Sequence, residues 1–105
     1  MDIKELSKRA LEVRGKYAIF EKERYGRAWN NCDIMQGFVG DVGDLAKLVM
    51  AKEGIRGGEN IDEKLEHEIA DCLWSVLVLS EKYGIDLEKS FTQTMGDIEN
   101  RLNNL

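Results

Sequence analysis

The chain has 105 residues, enough for one domain over residues 1–105 and too few for two comfortable ones. Apolar residues at 43% and charged residues at 33% exclude a disordered chain, and no apolar run approaches the roughly 20 residues of a membrane span. Fifteen Lys/Arg against twenty Asp/Glu leave a net charge of −5, which argues against direct DNA or RNA binding.

Proline is absent, which favours a few long helices over a loop-rich or all-β domain. The segment from Met1 is charged from Asp2 onward, the pattern of a chain without a secretory signal. Cys32 and Cys72 form no metal motif and read as reduced structural thiols of a cytoplasmic protein. The charge is uneven. Residues 1–27 hold eight Lys/Arg and five Asp/Glu, whereas residues 28–105 hold seven and fifteen. An acidic body with a basic leading segment suits a cation site beside an anion patch, and equally an ordinary mixed surface.

Helix one is expected from about Asp2 to Tyr25. Ile3, Leu6, Ala10, Val13, Tyr17 and Phe20 recur at alternating spacings of three and four, and Gly26 suits a left-handed terminator. Helix two is expected from about Asn31 to Glu53, with Asn30, Asn31 or Asp33 as its cap and Phe38, Val42, Leu45 and Val49 as its stripe. Gly37, Gly40 and Gly43 lie inside it, each costing about 1 kcal/mol against alanine, so close approach of a backbone or ligand is expected there. Residues 54–59 form the one clear loop. Helix three starts at Asn60, which has capping-box spacing to Glu63, and runs to Tyr83 before Gly84. Its Ile69–Leu79 stretch is apolar on nearly every side and is expected to be contacted all round. Helix four begins after Asp86 and carries Leu87, Phe91, Met95, Ile98, Leu102 and Leu105. The reading is an all-α bundle of about four helices. Surplus apolar surface calls for a second copy, as a homodimer or homotetramer, to complete it.

One histidine excludes a zinc motif with two, and there is no phosphate-binding loop ending in Gly-Lys-Ser/Thr. His67, between Glu66 and Glu68, reads as a solvated surface histidine. The carboxylates are more informative. Acids at i and i+3 project from one helix face about 5–6 Å apart. Five such pairs occur, little above chance for twenty acids in 105 positions. Setting separates two of them from the rest: Asp41/Asp44 and Glu68/Asp71 border apolar stripes on consecutive helices. Too few Lys/Arg share these faces to neutralise four acids. Oxygen ligation then favours Mg²⁺, with Mn²⁺ as the alternative, while solvation or pairing with Lys47 and Lys52 is the plain reading.

With those acids in place, the sequence resembles the MazG-like all-α nucleoside triphosphate pyrophosphohydrolases. That family carries E-x-x-E on one helix and E-x-x-D on the next. Here the pairs are Asp41-Val42-Gly43-Asp44 and Glu68-Ile69-Ala70-Asp71, and Tyr83-Gly84-Ile85-Asp86-Leu87-Glu88 resembles the turn into the last helix. The likeness covers roughly residues 28–100. It implies hydrolysis of a nucleoside triphosphate, non-standard and deoxy ones included, to monophosphate and pyrophosphate. It also implies Asp41, Asp44, Glu68 and Asp71 as metal ligands, with Glu68 assigned to position the attacking water. Lys47 is a candidate phosphate contact and Trp29 a candidate base-stacking ring, each weighed against a plain solvated or packing role. Two departures stand out: the first pair is Asp/Asp with Gly40 where a further glutamate is common, and Thr94 and Ile98 lie near where many relatives carry lysine and asparagine. A MazG-like module that binds metal or nucleotide without turning it over is the competing reading.

Overall fold

Each helix starts or stops where a side chain or glycine satisfies the free backbone groups of its end. Asp2 accepts the Glu5 N–H at 2.9 Å to open α1 (Ile3–Tyr25), and Gly26 closes it at φ 86. Asn30 opens α2 (Asn31–Lys52) with a full capping box: its side chain accepts the Asp33 N–H, and the Asp33 carboxylate accepts the Asn30 N–H. Arg27 Nη1 lies 2.6 Å from the same Asp33 carboxylate, and with that hydrogen bond it holds the acid below its usual range. Asp86 caps α4 (Leu87–Asn103) through the Lys89 N–H. The computed structural model describes all 105 residues, with 80% of them in these helices and α3 (Ile61–Lys82), and no strand. The fold is all-α. No helix is long and apolar enough to cross a membrane.

The expected capping box at Asn60 is absent. Asn60 adopts a left-handed backbone at φ 52, and its side chain makes no cap bond; such a bond needs an extended cap residue. The start of α3 is instead tied across to α2 by Lys52 and Asp62 at 2.7 Å.

α3 is the central helix, with α2 along one side and α1 along another. Ala10, Ile34, Leu77 and Val78 form the common core, flanked by Leu6, Trp74 and Leu79. The indole Nε1 of Trp74 donates to the Ala10 carbonyl at 3.0 Å and pins α1 on α3. The expected all-round burial of Ile69–Leu79 holds on these two sides only. Ile69, Leu73 and Val76 are exposed on the third.

The packed faces are rotated from the apolar stripes. On α2, Val42 and Val49 are exposed, while Ile34, Gly37, Asp41, Leu45 and Leu48 are buried or half-buried. On α3 the covered row is Ile61, Leu65, Glu68, Cys72, Ser75 and Leu79. On α1 Tyr17 and Phe20 are exposed, while Arg14 and Glu21 are buried. A single chain does not close a four-helix bundle. Leu87 reaches the core, but every residue from Glu88 to Leu105 is exposed, including Phe91, Met95, Ile98 and Leu102.

Of the three glycines in α2, only Gly37 is closely approached. A Cβ there would lie 2.7 Å from Cζ3 of Trp29, whereas Gly40 and Gly43 face open space. Gly40→Ala is therefore expected to raise stability by about 0.5–1 kcal/mol through helix propensity. Gly37→Ala forces the Trp29 ring aside, so thermal melts should show it below Gly40→Ala.

Candidate metal and nucleotide site

The loop after α2 returns the chain so that α3 runs antiparallel to α2. Ala51 lies near Ile61 at the loop end, and Ile34 joins Val78 at the other. Midway between these contacts the covered rows carry acids where a core would carry leucine. Carboxylate oxygens of Asp41, Asp44 and Glu68 all lie within 4.8 Å of one another. Asp41 and Glu68 are half-buried and Asp44 is exposed at the rim.

Glu68 is the most constrained of these groups. Its Oε1 is sealed from solvent and has no hydrogen-bond donor. Its neighbour Asp41 is another acceptor, so the two share a bond only when one carries a proton. Burial, first, and then the charges of Asp41, Asp71 and Asp44 push the Glu68 carboxyl above the ordinary carboxylate range. Burial, first, and then the charges of Asp41, Glu68 and Asp71 push the Cys72 thiol up, which disfavours its thiolate; Cys32 is exposed, and both cysteines are free.

An orphaned buried oxygen within an all-oxygen donor set fits a hard divalent cation. Oxygens around one Mg²⁺ lie roughly 3–4 Å apart, so small rotamer changes bring these three into range. Asp71 stands outside the trio. Its Oδ2 lies 3.2 Å from Nε2 of His67, which is otherwise exposed as expected.

Two clefts meet at the acids. One of about 450 Å³ is lined by Asp44, Lys47, Glu63, Lys64, His67 and Glu68. The other, of about 230 Å³, is lined by Asp41 and Asp71 together with Arg14, Tyr17, Trp29 and Trp74. Lys47 and Trp29 thus line different clefts. Sequence reasoning passed over Arg14, Tyr17 and Ser75 in the second. The available signal was Arg14 and Glu21, opposite charges seven residues apart on one helix face.

Fold and site together define an all-α protein with a carboxylate cluster suited to a divalent cation and flanked by clefts of small-molecule size. The family model of the MazG nucleotide pyrophosphohydrolase domain matches residues 31–105, and the chain belongs to that family. No curated protein and no solved structure matches it significantly.

Glu68 binds its proton more tightly in the folded chain than in the unfolded one. The folded state therefore holds more protons between the unfolded value near 4.5 and the raised folded value. Metal-free stability should fall as pH climbs through that window and stay low above it. Glu68→Gln should remove this Glu68-dependent fall and raise the metal-free melting temperature near neutral pH, read by circular dichroism.

Proposed function

We propose that the chain is a Mg²⁺-dependent nucleoside triphosphate pyrophosphohydrolase of a single domain. Its substrates, non-standard and deoxy nucleotides included, are cleaved to monophosphate and pyrophosphate. The observation that carries this reading is the sealed, unpartnered Oε1 of Glu68 between Asp41 and Asp44, inside a segment matched by the nucleotide pyrophosphohydrolase family. Asp41, Asp44 and Glu68 hold the cation, with Asp71 as the fourth acid once it leaves His67; Mn²⁺ serves in its place. When bound, the cation offsets phosphate charge and lowers the pKa of a coordinated water.

The chain's own groups do the rest. Glu68 orients the water and accepts its proton as the new P–O bond forms. The bond to the pyrophosphate oxygen breaks, and the proton then passes to solvent. Lys47, beside Asp44 in the larger cleft, meets phosphate oxygens, and Trp29 in the smaller cleft stacks on the base. Two free thiols support a cytoplasmic setting.

Glu68→Gln should abolish pyrophosphate release and weaken metal binding. Glu63→Gln, an exposed acid in the same cleft outside the trio, should leave turnover nearly intact. Equal losses would remove the role given to Glu68. Mg²⁺ at a hundredfold excess over its dissociation constant should stabilise the native state by ~2.7 kcal/mol. Stabilisation by Mg²⁺ without pyrophosphate release from any nucleotide would favour the non-catalytic module.

We propose also that a second copy covers the exposed apolar faces. The radius of gyration is 16.7 Å, against about 13 Å for a compact domain of this length. Phe91 of α4 lines an apolar groove with Leu73 and Val76 of α3 and Ile3 of α1, and Met95, Ile98 and Leu102 lie exposed further along α4. Light scattering at micromolar concentration should return a dimer or tetramer, and a stable 12.0 kDa species would refute it.

A further inference from the structure

The acids belong to α2 and α3, inside the matched segment. α1 lies outside that segment, yet it walls the smaller cleft that Asp41 and Asp71 also line. It does so with a buried ion pair. Arg14 is 7% exposed and Glu21 only 2%. An apolar pair of similar volume often stabilises a fold as well as such a pair does, so stability alone does not account for it.

Geometry supplies another role. Oε1 of Glu21 accepts from Arg14 Nη2 and also from the backbone N–H of Trp29 at 2.9 Å. One carboxylate thereby sets the guanidinium and the indole residue relative to each other. The Trp29 ring is backed by Gly37, where no side chain fits without moving it. The guanidinium carbon lies 5.6 Å from the centre of the Trp29 ring and 5.8 Å from that of Tyr17. Tyr17 in turn stands edge-on to Trp74 at 6.2 Å. The cleft therefore offers flat apolar walls and a group that only donates hydrogen bonds. Arg14 has five N–H donors and makes its single side-chain hydrogen bond to Glu21.

We infer that α1 builds the base-reading end of the site, with Arg14 as the specificity-determining residue and Glu21 as the residue that positions it, and that the cleft selects bases presenting a carbonyl over those presenting an amino group. The inference rests on the proposed nucleotide reading, with phosphates at the acid cluster. A carbonyl oxygen in the cleft accepts from the free guanidinium donors. An exocyclic amino group there sets donor against donor and leaves both unpaired, which disfavours it by about tenfold or more.

The test uses nucleosides, which need neither metal nor turnover. Both tryptophans of the chain line this cleft, so intrinsic fluorescence reports its occupancy. Uridine against cytidine, and inosine against adenosine, exchange a carbonyl for an amino group together with the protonation of the adjacent ring nitrogen, which carries N–H in uridine and inosine. The native protein should bind uridine and inosine about tenfold or more tightly than their amino partners. Arg14→Lys keeps the charge opposite Glu21 but has a single nitrogen, held at that carboxylate, and no second one to reach a base, so it should flatten that ratio while circular dichroism stays helical. Glu21→Gln should lower the same ratio, a readout that a purely structural role would leave unchanged. Absence of nucleoside binding, or equal binding of both partners by the native chain, overturns the inference whether or not a variant folds. So does an Arg14→Lys protein that keeps the ratio but loses affinity for inorganic tripolyphosphate with Mg²⁺, since Arg14 would then serve phosphate. A carbonyl preference without turnover would overturn only the hydrolase reading, and turnover without the preference only this one.

Discussion

Like charges inside a helix–helix contact oppose the packing that brings them together. Asp41 and Glu68 occupy positions in the α2–α3 interface that an ordinary antiparallel pair fills with leucine, and Asp44 sits at its rim. The surrounding fold has to hold the helices together despite this. Ile34 with Val78 at one end, and Ala51 and Ile61 both gathered at Gly58 at the other, hold the pair on either side of the acids. The capping box and Arg27 secure the start of α2, and Lys52 with Asp62 secures the start of α3. The middle of the interface is thereby left free to hold charge.

α1 meets the problem from outside. Its packed face carries Arg14 and Glu21, so the charge it buries is balanced within itself and adds nothing to the acidic centre. The result is a division of the site by chemistry. Carboxylate oxygens lie between α2 and α3, and rings with a guanidinium lie between α1 and the turn before α2.

Helix ends were legible because they depend on local chemistry. Asp2, Gly26, Asn30 and Asp86 act within a turn of their own position, and all four ends fall within a residue of where the sequence places them. Asn60 is the exception because its role depends on backbone angles set by the glycine loop before it. Asp41, Asp44 and Glu68 were legible by their setting beside apolar stripes, since spacing alone gave five pairs, and Asp71 stands apart from them. Their burial was read one step off, since the stripe of greatest hydrophobicity is not the stripe that packs: Val42, Val49, Ile69 and Val76 remain outside. Those valines and isoleucine answer to surface that a single chain leaves open. The Arg14–Glu21 pair was passed over because opposite charges on a helix ordinarily signal a solvated face. Only the position of Trp29, fixed by tertiary structure, shows why they are inside.

The open surroundings of Gly40 bear on how such a site changes over evolutionary time. Gly40 lies one helical turn before Asp44, and a side chain added there meets nothing. Glycine and glutamate codons differ by a single nucleotide, so one mutation adds a carboxylate to the rim with no repacking of α2. At Gly37 the same codon change collides with the Trp29 ring. Two glycines three residues apart thus stand at opposite ends of mutational tolerance, and drift in the number of acids is channelled to the open position one turn before Asp44.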